Sequence, residues 1–436
     1  MIDAAPAEPR PLPSRAGYPP AARHVALVVL FAVGTLNFVD RQILSVLVEP
    51  IKAELHLSDT QFGLLTGLSF ALFYAVMGVP VALLADRTHR VRLIAAACFI
   101  WSCFTAACGM AGSFTHLMLA RFGVGVGEAG GTPPSLSILA DYYPPERRAL
   151  ITGVFVANGP LGVLLGTVIG GGIAQAYGWR SAFFVLAALG IVAAPLLLIF
   201  VREPRRGAHD GHAADAPPAP APSFLATAGL FRRKRSLGLL LVAAALSNVV
   251  SYGILSWTPA FLMRTQGMSL RELTAWFGLA AGLSFGLGIW GGGAVVSRFA
   301  ARSPRTYALV PGISIAIVAP TFVAALLASS WQASLALLIV PMALSVTFTA
   351  PALALVANLA PHNARATASA MLMLVFNLVG MGGGPLLIGM ISDAMIPRHG
   401  VESLRIALLW IAPIALLAAA AQYAVSRAVR HDLATG

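Results

Sequence analysis

Charge is what this sequence has least of. Only 11% of its 436 residues are Asp, Glu, Lys or Arg, where soluble domains carry about 25%. No polar stretch is long enough for an extramembrane catalytic domain, and no metal-ligand cluster or nucleophile motif occurs, so no enzyme, resident metal or cofactor is expected. The G-x-x-x-x-G-K-[ST] phosphate loop is missing, which argues against ATP-driven pumping. Cysteine is down to three, Cys98, Cys103 and Cys108. All sit on one segment, too few and too close for a disulfide framework, and they read as small apolar packing groups. Lysine is scarce beside arginine. Residues 1–22 contain no apolar run, so they are not a cleaved signal peptide.

What is present is apolar. Hydrophobic residues make up 58% of the chain and the mean hydropathy is +0.81. A membrane-crossing helix needs about 20 such residues. Twelve runs of that kind are predicted, near 24–50, 60–85, 91–111, 115–141, 149–176, 181–201, 237–262, 272–298, 306–328, 332–359, 366–393 and 402–427. The net charge of +12 invites a nucleic-acid partner. A membrane explains it better, because Lys and Arg gather in cytoplasmic loops. With both termini cytoplasmic, Lys52, Arg180, Arg264, Arg271, Arg398 and Arg405 fall outside, Arg41 and Arg121 fall within spans, and all the others fall inside. An all-α integral membrane protein is predicted, with no nucleic-acid partner.

Residues 203–235 break the pattern. "EPRRGAHDGHAADAPPAPAPS" reads as a disordered linker. "FLATAGLFRRKR" reads as a short amphipathic piece whose basic cluster, Arg232 to Arg235, is drawn to anionic lipid. The predicted organisation is a disordered start at 1–22, a six-helix bundle at 23–202, the linker at 203–235, a second six-helix bundle at 236–428 and a tail at 429–436. The halves echo one another: "YYPPERRALITG" resembles "LAPHNARATASA", and "LLADRTHR" resembles "VVSRFAAR", at matching places. Two related halves around a midplane site is the architecture of many secondary transporters.

An ionisable group inside the membrane costs about 2.5–3.5 kcal/mol on insertion scales. Asp40, Arg41, Arg121 and Glu128 lie at such depth, all in the amino-terminal half. With a rise of about 1.5 Å per residue, they share one layer from the middle to the outer half. Arg121 and Glu128, seven residues apart, share a helix face. Two carboxylates and two guanidinia balance in charge, and a mutually paired cluster is the cheapest way to hold them. One reading is a static ion-pair latch. The other is a proton switch, in which Asp40 first and Glu128 second take up a proton when an arginine moves away.

Asp86 and Arg87, with Arg90 one turn later, sit where the second span meets the cytoplasm. They read either as loop charge or as a gate that holds the cytoplasmic side shut. "RFGVGVGEAGGTPP" contains G-x-G-x-x-G at Gly125, Gly127 and Gly130. No strand precedes it, so it signals close helix packing rather than a nucleotide. Asn248, Tyr252 and Trp257 in the seventh span are candidates to line a cavity, and Trp257 is equally a candidate interfacial anchor. Asn37, Phe376 and Asn377 join the cavity-lining candidates.

These residues resemble the major facilitator superfamily. "LLADRTHR" is similar to its G-x-x-x-D-R-x-G-R loop, with Ala82 and His89 in place of glycines. Arg121 and Gly125 match its fourth-helix R-x-x-x-G. "NGPLG" at 158–162 matches the fifth-helix antiporter motif only in part. Within the superfamily, "NFVDRQ" and "GVGEAGGTPPSLSILADYYP" are similar to the spinster-like group, across most of residues 30–200. The resemblance implies roles for Asp40, Arg41, Arg121 and Glu128 and transport of lysolipid or sphingoid lipid, with a proton as coupling ion.

The residues themselves point loosely the same way. One wall of the expected cavity is charged and the other greasy, which suits an amphiphile whose anionic head meets Arg121 or Arg41. A monomer in a bacterial inner membrane is expected. The rivals are a drug or organic-anion transporter of the same fold and a transport-inactive sensor with a static charge cluster.

Overall fold

The computed structural model describes residues 19–207, 224–361 and 364–434. All regular structure among them is helical. Six membrane-length runs precede the linker: span 1 (Pro20–Val46), span 2 (Asp59–Arg87), span 3 (Arg90–Gly109), span 4 (114–142), span 5 (Pro145–Tyr177) and span 6 (Trp179–Phe200). Six follow it: span 7 (Arg235–Arg264), span 8 (Leu270–Ala300), span 9 (Thr306–Leu326), span 10 (Trp331–Leu359), span 11 (365–399) and span 12 (403–434). The chain folds as two six-helix bundles. With six spans in each half, the start of span 1 and the end of span 12 fall at one end, called here the terminal end; the opposite end is the far end.

Local chemistry sets the span boundaries. Ser58 and Gln61 form a capping box at the start of span 2, and Ser269 and Glu272 form another at span 8, satisfying backbone N–H groups that a helix start leaves free. Pro145 opens span 5, where its missing N–H costs nothing. Large apolar side chains such as Leu83, Phe99, Ile199 and Leu287 point outward, as lipid requires. Cys98 and Cys108 are buried and Cys103 is exposed.

The halves meet mainly through spans 2 and 11 and spans 5 and 8. Glycine permits this approach. A Cβ on Gly67 would stand 2.6 Å from the carbonyl oxygen of Gly382, and one on Gly282 would stand 2.8 Å from the Leu164 Cβ. Span 2 breaks at Gly67, whose backbone leaves the helical region.

The linker helix Phe224–Arg233 is present, with Phe231 buried against the second half and the Lys234 ammonium donating to the Leu359 carbonyl at 3.2 Å. The disordered reading of the linker over 208–223, and that of the start over 1–18, lie outside the described residues; residues 20–22, expected disordered as well, form the first turn of span 1, which Pro20 opens. Residues 203–207 are pinned instead. Glu203 accepts from Arg90, and the Gly207 amide donates to Asp141 at 2.9 Å. The expected tail from 429 is likewise docked. Span 12 runs to Ala434, Val429 is buried, and Asp432 accepts from the Ser236 amide at 2.7 Å. That carboxylate caps span 7, which is why the helix continues.

Candidate functional site

A cavity of about 360 Å³ lies between the halves. From the first half come Arg41, Gln42, Tyr74, Arg121 and Asn158; from the second come Tyr252, Leu255, Phe285, Met373, Phe376 and Met381. Both cations belong to the first-half wall, beside Phe38, Phe70 and Phe155; the second-half wall carries no charge and mixes Asn248, Ser251, Tyr252 and Asn377 with aliphatic and aromatic side chains.

The four charges do not close into one mutually paired cluster. Arg41 Nε donates to Glu128 at 2.7 Å. Its guanidinium is boxed by the rings of Phe38, Phe70 and Tyr74, with centroids at 5.1, 4.7 and 4.8 Å, a geometry in which each ring face attracts the cation. Asp40 accepts instead from the Thr105 hydroxyl on span 3 at 2.5 Å. Thr105 is a partner that the sequence reading missed. Arg121 is 1% exposed and stands over the Phe70 ring at 5.2 Å, and its Nε has no hydrogen-bond partner among the described residues. A buried guanidinium so placed beside a cavity can receive an anion. Asp40 and Glu128 do not line the cavity. Arg41 and Arg121 stand between it and them.

Of the other lining candidates, Asn248, Tyr252, Phe376 and Asn377 reach the cavity. Asn248 also donates to the Phe376 carbonyl at 2.7 Å. Span 11 is wound as a π-helix over Phe376–Gly383. The side-chain amide meets a backbone oxygen where that winding begins. Trp257 does neither thing expected of it. It is 1% exposed, its indole donates to the Pro385 carbonyl at 2.9 Å, and Phe62 packs edge-on at 6.0 Å. It locks span 7 to span 11 and faces span 2. Asn37 is also off the central cavity. It lines a separate small void with Thr132 and Ser135.

The expected gate is arranged differently. Asp86 and Arg87 are exposed, whereas Arg90 turns into its own half. Arg90 is 2% exposed and pairs with Asp141 and Glu203, each at 2.6 Å. Asp86 cannot compete, because it ends span 2 facing outward while Arg90 starts span 3 facing spans 4 and 6. The polar contacts between the halves cluster at the far end. Asp59, fully buried, is bridged by Arg264 at 2.8 Å and paired with Lys52. Arg264 also meets Glu49 at 2.8 Å, and Ser392 donates to Asp59 at 2.6 Å. Asp393 caps span 2 from across the interface, accepting from the Asp59 and Thr60 amides at 2.9 and 2.8 Å. Beside this latch, hydrogen bonds from the Trp179 indole and Arg180 hold the Glu54 carboxyl below the usual carboxylate range.

A profile of the Major Facilitator Superfamily matches residues 30–385. An MFS-type efflux pump of Mycolicibacterium smegmatis is 36% identical over 417 residues, covering 95% of each chain. Protein spinster homolog 1 of Homo sapiens is 28% identical, over 87% of this chain and 75% of that protein. A crystal structure of a bacterial homologue of the human lysosomal transporter Spinster, inward-facing and unoccupied, superposes with a TM-score of 0.84 at 30% identity. It covers 95% of this chain and 99% of its own.

Proposed function

This chain belongs to the major facilitator superfamily, a spinster-like membrane transporter and not an enzyme, and on that premise we propose that it carries amphiphilic, lipid-like molecules by proton-coupled alternating access. The observation that carries this reading is a cavity whose cations all come from one half, with uncharged apolar side chains facing them from the other. Arg121, buried with its Nε unpartnered, faces it from one half, and Phe285, Met373 and Met381 face it from the other. An anionic head group satisfies the guanidinium, and the acyl chain lies on the greasy wall. The terminal end is the cytoplasmic side of a bacterial inner membrane, following the excess of arginine there. The far-end latch then makes this the inward-facing state, in keeping with the conformation of the solved Spinster homologue.

Coupling follows from which groups stand behind the arginines. Glu128 is fully buried and held by Arg41. A buried carboxylate is tolerated while paired, and otherwise takes up a proton. If the incoming head group draws Arg41 from Glu128, the acid must be neutralised, and proton and substrate movements are linked. Purified protein in liposomes, fed a labelled lysolipid with and without an imposed pH gradient, tests this. Uptake that follows the gradient is expected in the wild type and lost in Glu128→Gln and Asp40→Asn. Normal gradient-driven uptake in both variants defeats the coupling. The likeness to an efflux pump supports a second reading, export of lipophilic drugs. Transport of a labelled cationic dye that lysolipid does not compete away selects it.

A further inference from the structure

Behind the charged layer, on its terminal side, lies the second void, with a volume of about 10 Å³. Asn37, Trp101, Gly131, Thr132, Ser135 and Phe155 surround it. Thr132 and Phe155 also line the central cavity, so they form the partition between the two spaces. The void exists because span 4 stops at Glu128 and restarts at Thr132. Trp101 blocks the helix from filling the gap. A Cβ on Gly127 would stand 2.7 Å from the Trp101 amide.

Three polar atoms beside the void lack a well-formed hydrogen bond. Asn37 is 4% exposed, and neither its amide nitrogen nor its amide oxygen has a partner among the described residues. Glu128 is fully buried and its Oε1 is also unpartnered, while its Oε2 holds Arg41. Glu128 does not itself line the void; the Asn37 amide, short of a well-formed hydrogen bond, lies close enough to act on the Glu128 carboxylate. An unpaired buried amide is destabilising, and a void needs about 10–15 Å³ of such volume to hold one water. Ser135 donates its own proton to the Gly131 carbonyl at 2.8 Å, leaving its oxygen free to accept.

We propose that this void is a binding site for one water molecule, held by Asn37 and Ser135, and that this water exchanges protons with Glu128 by a route separate from the substrate cavity. The second part rests on the proton-coupled reading above. The water receives a proton from the terminal side and passes one to the Glu128 carboxylate, and the reverse step returns it, so charge and atoms balance. Asn37 is a positioning residue: it orients the water and does not itself titrate. The groups around the exchange are Asp40 and Arg41 from span 1, Arg121 and Glu128 from span 4, Cys98 and Cys108 from span 3, Tyr74 from span 2 and Tyr252 from span 7. While Arg41 holds Glu128, it and Arg121 screen the carboxylates from the central cavity, so a path through that cavity would cross two positive charges.

Two measurements decide it, both on the full chain. A high-resolution density map of the wild type should show an ordered water within about 3.2 Å of the Asn37 amide; a dry void overturns the site. In liposomes with labelled lysolipid, Asn37→Leu fills the void with apolar atoms and should lower pH-gradient-driven uptake by roughly tenfold or more. Exchange of labelled for unlabelled lysolipid without a gradient should stay near wild type, which shows the variant folded. Asn37→Ser, which keeps a group that binds water, should restore driven uptake. If Asn37→Leu follows the gradient as well as the wild type, the relay is overturned and the coupling reading stands. If the wild type ignores the gradient, both fall.

Discussion

The two ends of the molecule use ion pairs in opposite ways. At the far end Asp59, Lys52, Glu49 and Arg264 join one half to the other. At the terminal end Arg90, Asp141 and Glu203 join spans within a single half. Under the alternating access proposed above, the far-end network has to come apart as the halves separate there. The terminal-end network can stay whole while the half moves as a rigid body. With the far end shut, Asp86 and Arg87 at the terminal end stand exposed, as the residues of an open gate would. What marks a closed gate is whether the partners belong to bodies that separate.

Asp59→Asn should break the comparison most sharply. It leaves Arg264 and Lys52 without their shared buried carboxylate, a loss of about 3–5 kcal/mol for a buried pair. Pulsed dipolar distances between labels in the 1–2 and 7–8 turns should lengthen as the far end opens. Arg90→Met should lower the melting temperature through a loss of similar kind, about 3 kcal/mol, because Asp141 and Glu203 lose their cation. The far-end distances should not move. An Arg90→Met protein that opens at the far end would show that the two networks are coupled. Trp257→Phe keeps most of the packing and removes only the bond to the Pro385 carbonyl. A loss of about 1 kcal/mol is expected, visible as a small shift toward the open far end. Asp86→Asn should be nearly silent, melting within about 0.5 kcal/mol of the wild type, since the side chain is exposed. A large change there would mean that Asp86 is paired in the state measured.

The spans were legible because each is a local property. About 20 apolar residues in a row suffice, and the limits expected from the sequence fall close to the helices observed. The depth of Asp40, Arg41, Arg121 and Glu128 was legible for the same reason. Their partners were not. Thr105 gave no signal, because a threonine in an apolar helix ordinarily bonds its own backbone. Here the Trp101 carbonyl also lies within reach, at 3.0 Å, and the single hydroxyl proton is shared between it and the nearer Asp40. The weight of Asp59 was also hidden. Its neighbours Ser58 and Gln61 announce a helix start, but the cations that make it a latch lie seven and more than two hundred residues away.

The sequence by itself determined the solvent of this protein, the number of its crossings and the half in which its charge would be held. Those follow from hydropathy summed over short windows, and no contact can change them. Tertiary structure alone decided that Arg41 takes Glu128, that Trp257 locks helices rather than lining the cavity, and that the far end is the one held shut. Each depends on how a helix is rotated about its axis and which half stands opposite. A turn of 3.6 residues offers several faces to several neighbours, and only the packed bundle selects one.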